Sequence, residues 1–145
     1  VLAKIDPQTQ QQRLQSALAE LSTSSQAVNT AKANLQQTEA NTKVVEATYN
    51  RQKALFDRGI VTQAALEQAD VQLKAAQVQI IVQKANVKAA EARLTQTNAT
   101  VEQARIDLSR TTIYSPITGV VVDRQVDPGQ TVASSLSAPV LCNIA

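Results

Sequence analysis

The sequence predicts a mainly α chain: a long antiparallel coiled-coil hairpin with a small β part at its open end. Three observations carry this. The 145 residues are 43% apolar but only 2% aromatic, with 23 Ala and 19 Gln against three Gly and four Pro. That composition suits long helices meeting along a narrow, alanine-lined seam better than an ordinary compact domain. Residues 8–58 and 62–110 then run almost without helix breakers, each with a strict seven-residue apolar repeat. Finally, the two repeats mirror each other about residue 61.

Taken in chain order, Val1-Leu2-Ala3-Lys4-Ile5 has a strand pattern that opens in mid-element, so the chain reads as a fragment of something longer, with any targeting segment upstream. The first helix is expected over 8–58. Its seam runs through Leu14, Leu21, Val28, Leu35, Thr42, Tyr49 and Phe56, interleaved with Ala17, Ser24, Ala31, Thr38, Val45 and Gln52. The tip, residues 57–62, contains Gly59, which fits a left-handed helix-ending position, and Thr62, which fits the next N-cap. The second helix is expected over 62–109. Its seam is Leu66, Leu73, Ile80, Val87, Leu94, Val101 and Leu108, interleaved with Ala69, Ala76, Gln83, Ala90, Thr97 and Ala104. A 3-4 spacing held this long implies a left-handed supercoil. Leu14 with Leu108 and Phe56 with Leu66 both sum to 122, so folding back pairs the seams layer by layer. Each arm of about 48 residues is roughly 70 Å long at 1.5 Å per residue. The outer faces, rich in Gln, Asn and Lys, suit polar lateral contacts rather than a second hydrophobic seam.

After Arg110 the pattern turns to β. Strands are expected at 111–114, 120–122, 131–133 and 140–144, with a turn at Asp127-Pro128-Gly129-Gln130. The strand at 1–5 must join them, because the hairpin returns residue 109 to the end where residue 7 left. Cys142, in an alternating strand, reads as a small buried hydrophobe.

The composition also excludes functions. With no His and one Cys, the usual zinc ligand sets and Ser-His or Cys-His nucleophile pairs are missing. A net charge of +2 spread along the chain is no nucleic-acid footprint, and no run of 18 apolar residues spans a membrane. No catalytic, metal or cofactor-binding residue is expected, and the chain is not expected to be an enzyme. At the tip, Arg51 and Leu55 lie four apart on one helix face, off the seam centre, beside Ile60 and Val61, expected to be exposed in the turn. That pairing of cation and apolar groups suits a partner site. The alternative is that Leu55 flanks the seam, Ile60 and Val61 staple the turn, and Arg51 is simply solvated.

The order of parts resembles the periplasmic adaptors, or HlyD-like membrane fusion proteins, of bacterial tripartite efflux systems. The resemblance rests on Leu2-Ala3-Lys4-Ile5-Asp6-Pro7 before the hairpin and on Leu108 to Val121 and Pro128-Gly129-Gln130-Thr131-Val132 after it. It implies that the hairpin is inserted in a split lipoyl-like (biotinyl-lipoyl) β-domain: residues 1–6 close its first half, 7–110 form the hairpin, and 111–145 form its second half. In adaptors that meet a TolC-type outer-membrane channel the hairpin end carries Arg-x3-Leu-x6-Ser; here Arg51, Leu55 and Thr62 hold those spacings, with Thr for Ser. The resemblance therefore implies that Arg51, Leu55, Gly59, Ile60, Val61 and Thr62 dock on such a channel. It implies Gln125 and Gln130 as lining residues of a channel-facing loop. The loop Ser134 to Leu141 and the Ile5-Asp6-Pro7 lead-in look most like the macrolide-exporter (MacA) type, whose pump is an ABC transporter, though adaptors for proton-driven RND pumps share much of the pattern.

Such kinship implies an adaptor exporting drugs or other small molecules, self-associated as a hexamer, in the periplasm of a Gram-negative bacterium. It would be anchored at the inner membrane by a segment outside the chain, and would meet the pump through domains outside it. No Lys follows Lys88, so this half carries no lipoyl or biotinyl arm and no cofactor is expected. A rival from another class is an autonomous coiled-coil interaction or receptor module with a β cap. It predicts a parallel dimer or bundle and does not need the strand at 1–5.

Overall fold

The computed structural model describes residues 1–131 and 140–144. Two helices dominate it: α1 (Gln8–Asp57) and α2 (Gln63–Ser109), lying antiparallel and joined by five residues. α1 starts where Asp6 Oδ1 accepts the Gln8 N–H at 3.0 Å, meeting one of the orphan donors of a first turn. Both helices end within a residue of the expected bounds.

The seam is where the sequence placed it. Ala17, Ser24, Val28 and Thr42 of α1 are buried, as are Ala69, Val87, Thr97 and Val101 of α2, and the other repeat positions are half-buried except Phe56, 37% exposed. Close approach through small residues lets backbone and hydroxyls meet. Ser24 Oγ lies 3.1 Å from Thr97 Oγ1, and Thr42 Oγ1 reaches Ala76 O at 3.4 Å across the hairpin. The first pair sums to 121, one short of the large-residue layers, as facing interleaved positions require. Buried threonines are tolerated because each also bonds back along its own helix, Thr42 to Thr38 O at 2.8 Å and Thr97 to Arg93 O at 2.9 Å. On the outside, Lys32 and Glu91 form an exposed 3.0 Å ion pair between the arms.

The small β part sits at the open end. β1 (Ala3–Lys4) pairs antiparallel with β2 (Thr112–Ile113), Ala3 opposite Ile113. Flanking bonds from Leu2 N–H to Ile113 O (2.7 Å) and Ile5 N–H to Thr111 O (2.8 Å) extend the ladder. The autonomous-module reading has no use for this pairing, nor for antiparallel arms. A second two-stranded sheet joins β3 (Val121–Arg124) to β4 (Cys142–Ile144), with an irregularity between Val121 and Asp123. These strands are shorter than expected at 111–114 and 140–144, and β3 runs to Arg124 rather than over 120–122. β3 is exposed at all four positions. Cys142 is half-buried, not buried, because among the described residues no second layer covers this sheet. The 127–130 turn is formed as expected, with Gln130 N–H bonded to Asp127 O at 3.1 Å and Gly129 at φ +86°. Most of the strand expected at 131–133, and residues 134–139 of the loop, lie outside the described residues.

Candidate functional site

The hairpin tip is built by two caps placed back to back. α1 closes with the Gly59 N–H donating to Phe56 O (2.8 Å) and the Ile60 N–H to Leu55 O (2.9 Å), the double bond set of a Schellman ending. That geometry needs a left-handed residue, and Gly59 supplies it at φ +71°. Three residues on, Thr62 is extended (φ −80°, ψ 156°) and opens α2, its carbonyl accepting Ala65 N–H and its hydroxyl accepting the same N–H at 3.3 Å. The first turn of α2 carries no acidic residue, so the Thr62 hydroxyl is the side chain that caps it, at Ala65 N–H.

These caps determine how the candidate residues are presented. Arg51 is exposed, Leu55 half-buried, and Ile60 stands out with 65% of its surface free. Val61 is half-buried, against the expectation of an exposed side chain; the two caps hold the reversal so short that Val61 stays against the helices. Arg51, Lys53 and Arg58, all exposed, stand against the Asp57 and Glu67 carboxylates, so the tip carries one net positive charge around an apolar point. One layer back, Lys74 meets Asp70 at 2.6 Å, and this hydrogen bond and charge hold the lysine above its ordinary pKa. The seam thins here: Gln52 Oε1 is buried with no hydrogen-bond partner among the described residues.

The other candidates, Gln125 and Gln130, lie at the far end of the molecule. Gln125 bonds through its backbone N–H to Leu141 O at 3.0 Å. The Gln130 side chain folds back on its own turn, Oε1 accepting the Asp127 N–H at 3.0 Å, while Arg124 Nη2 holds the Asp127 carboxylate at 2.9 Å.

Among the expected Gln, Asn and Lys residues, the outer face of α2 also carries an apolar stripe, which the expectation of purely polar lateral contacts left out. Val71, Ala75, Val78, Val82, Ala85, Ala89 and Ala92 recur at 4-3-4-3-4-3 on the side away from α1, and all are exposed. Val71 is 61% exposed, Val78 55% and Val82 45%, with Ile81 beside them at 67%. α1 answers with an exposed alanine every seventh residue, Ala33, Ala40, Ala47 and Ala54, and with Val44 at 68%. The signal was readable as a second heptad, offset by five from the first. Contiguous exposed apolar surface of this kind marks an interaction face.

Among the described residues no helix is long and apolar enough to cross a membrane. The family model "RND MFP, alpha-helical hairpin domain" matches residues 27–111, more than half of the chain. The macrolide export protein MacA of Escherichia coli O157:H7 is 31% identical over 114 residues, covering 79% of this chain and 29% of that protein. The MacA of Shigella flexneri matches to the same extent. The crystal structure of MacA from Actinobacillus actinomycetemcomitans superimposes with a TM-score of 0.52 at 28% identity, over 90% of this chain and 38% of that one. The chain thus spans less than a third of the curated relatives it matches. With its hairpin, its mirrored heptads and these matches, it belongs to the membrane fusion proteins, the periplasmic adaptor family, close to its MacA members.

Proposed function

We propose that this chain is the hairpin portion of an adaptor that links an inner-membrane efflux pump to a TolC-type outer-membrane channel, for export of drugs or other small molecules. The observation that carries the reading is the tip: a rigid reversal at the far end of two long arms, with Ile60 exposed, Leu55 beneath it and Arg51 on the same helix face as Leu55. Such an apolar point beside an arginine fits a groove offering apolar side chains and a carboxylate. The chain makes and breaks no bond; its work is recognition and enclosure.

The remaining parts fall into place around this. β1 to β4 are pieces of a split lipoyl-like domain into which the hairpin is inserted, which accounts for the β1–β2 pairing across the whole length of the hairpin and for the bare faces of β3. The exposed α2 stripe lies against the alanine face of a neighbouring α1, so that hairpins stand side by side in a ring, six in number by the family resemblance. Within it Gln125 lines the channel-facing loop, Gln130 being tied into its turn. Kinship with MacA favours an ABC-type pump over an RND-type one. The pump is met through domains beyond this chain, in the periplasm of a Gram-negative bacterium, with anchoring at the inner membrane outside it.

The test is cysteine cross-linking in intact cells with the whole protein carrying Ile60→Cys, and Cys142→Ser to remove the background thiol. Capture of an outer-membrane channel, identified by mass spectrometry, is the expected outcome. Capture of neighbouring copies alone would keep the ring and move the docking site elsewhere.

A further inference from the structure

We infer that Thr62 is a positioning residue of the tip rather than part of its contact surface, an inference that rests on the docking role proposed above. In a five-residue reversal the carbonyls ending α1 and the N–H groups opening α2 are crowded together, and all need partners. The α1 side is met locally, by Gly59 and Ile60 N–H. On the α2 side the Thr62 carbonyl takes Ala65 N–H (3.1 Å) and Leu66 N–H (3.3 Å), but Gln63-Ala64-Ala65-Leu66 adds no carboxylate and position 65 is Ala, not the Glu or Gln of a reciprocal capping box. The side-chain acceptor there is the Thr62 hydroxyl, which accepts Ala65 N–H at 3.3 Å and shares it with the Thr62 carbonyl.

That bond fixes the extended backbone of Thr62, and with it the direction in which Val61 and Ile60 leave the helix. Ile60 is thereby pinned from both sides: by its own N–H on Leu55 O and, two residues later, by the cap on Ala65. The apolar point offered to a partner is set by Thr62 without Thr62 touching the partner. What position 62 must provide is an acceptor for a helix N–H, which a hydroxyl, an amide or a carboxylate can each do.

Two substitutions separate this from direct recognition of the hydroxyl. Thr62→Val keeps the shape and removes the acceptor; Thr62→Asn keeps an acceptor and removes the hydroxyl. In the purified whole protein, amide hydrogen exchange at Ala65 is expected to rise about fivefold in the Val variant, the scale of a lost N-cap, and to stay near wild type in Asn. Co-purification of the outer-membrane channel from cells should follow the same order, falling severalfold in Val and holding in Asn, with far-UV circular dichroism unchanged in both. Loss of capture in Asn with Ala65 still protected would overturn the inference, showing that the partner reads the hydroxyl. So would normal capture, or unaltered Ala65 exchange, in Val. A Leu55→Asp control marks the other failure: wild-type capture there sinks tip docking itself, and with it any role of Thr62 in docking, while the exchange data still report the cap.

Discussion

At the scale of single residues, the tip separates backbone duties from side-chain duties. Leu55 serves the fold through its carbonyl, which accepts Ile60 N–H, while its half-buried side chain is left for the docking role proposed above. Replacing the side chain leaves the carbonyl in place. On the proposed adaptor function, Leu55→Asp is therefore expected to keep full helical content by circular dichroism while abolishing any drug resistance the whole protein gives cells; wild-type resistance in that variant would refute the tip assignment. The residues of the tip were legible because each obeys a local rule: Gly59 a left-handed ending, Thr62 an N-cap, Arg51 and Leu55 a four-residue spacing. The half-burial of Val61 was not, since it depends on how tightly two caps close on each other, which no single position encodes.

At the scale of elements, the seam is where the chain invests its apolar side chains. Val101 is 2% exposed and lies in the layer facing Leu21. Val101→Ala removes two methyl groups from this buried site, and is expected to cost about 2 kcal/mol in urea unfolding. Indifference to that change would mean that the arms do not unfold as one cooperative unit. The helices were readable to within a residue because six heptads repeat one message. The strands were placed but mis-measured. Two- to four-residue strands hold at most two alternations, and their ends are decided by the partner strand, as when Leu2 and Ile5 find Ile113 and Thr111. The polar seam positions are the reverse case: Ser24 and Thr97 look like weak points in the repeat and prove to face each other across it.

At the scale of the whole molecule, α2 has two apolar edges, one for its own hairpin and one turned away from it. The second is hard to see in the sequence because stripes on opposite sides of a helix cancel in any measure of one-sidedness, and because alanine carries much of both. Its function is open to direct trial. If hairpins stand side by side as proposed, Val78→Lys with Val82→Lys should leave the hairpin folded, since both side chains are exposed, yet abolish the proposed self-association of the whole protein in analytical ultracentrifugation. Unchanged assembly would exclude this face as the lateral contact. The tight reversal has a last consequence, for how such a protein can change its reach. With no slack between Phe56 and Thr62, a residue added to one arm turns everything beyond it by about 100° and throws every facing layer out of phase. Only matched insertions of seven in both arms restore the fit, so the span this hairpin can bridge grows in steps of about 10 Å and not continuously.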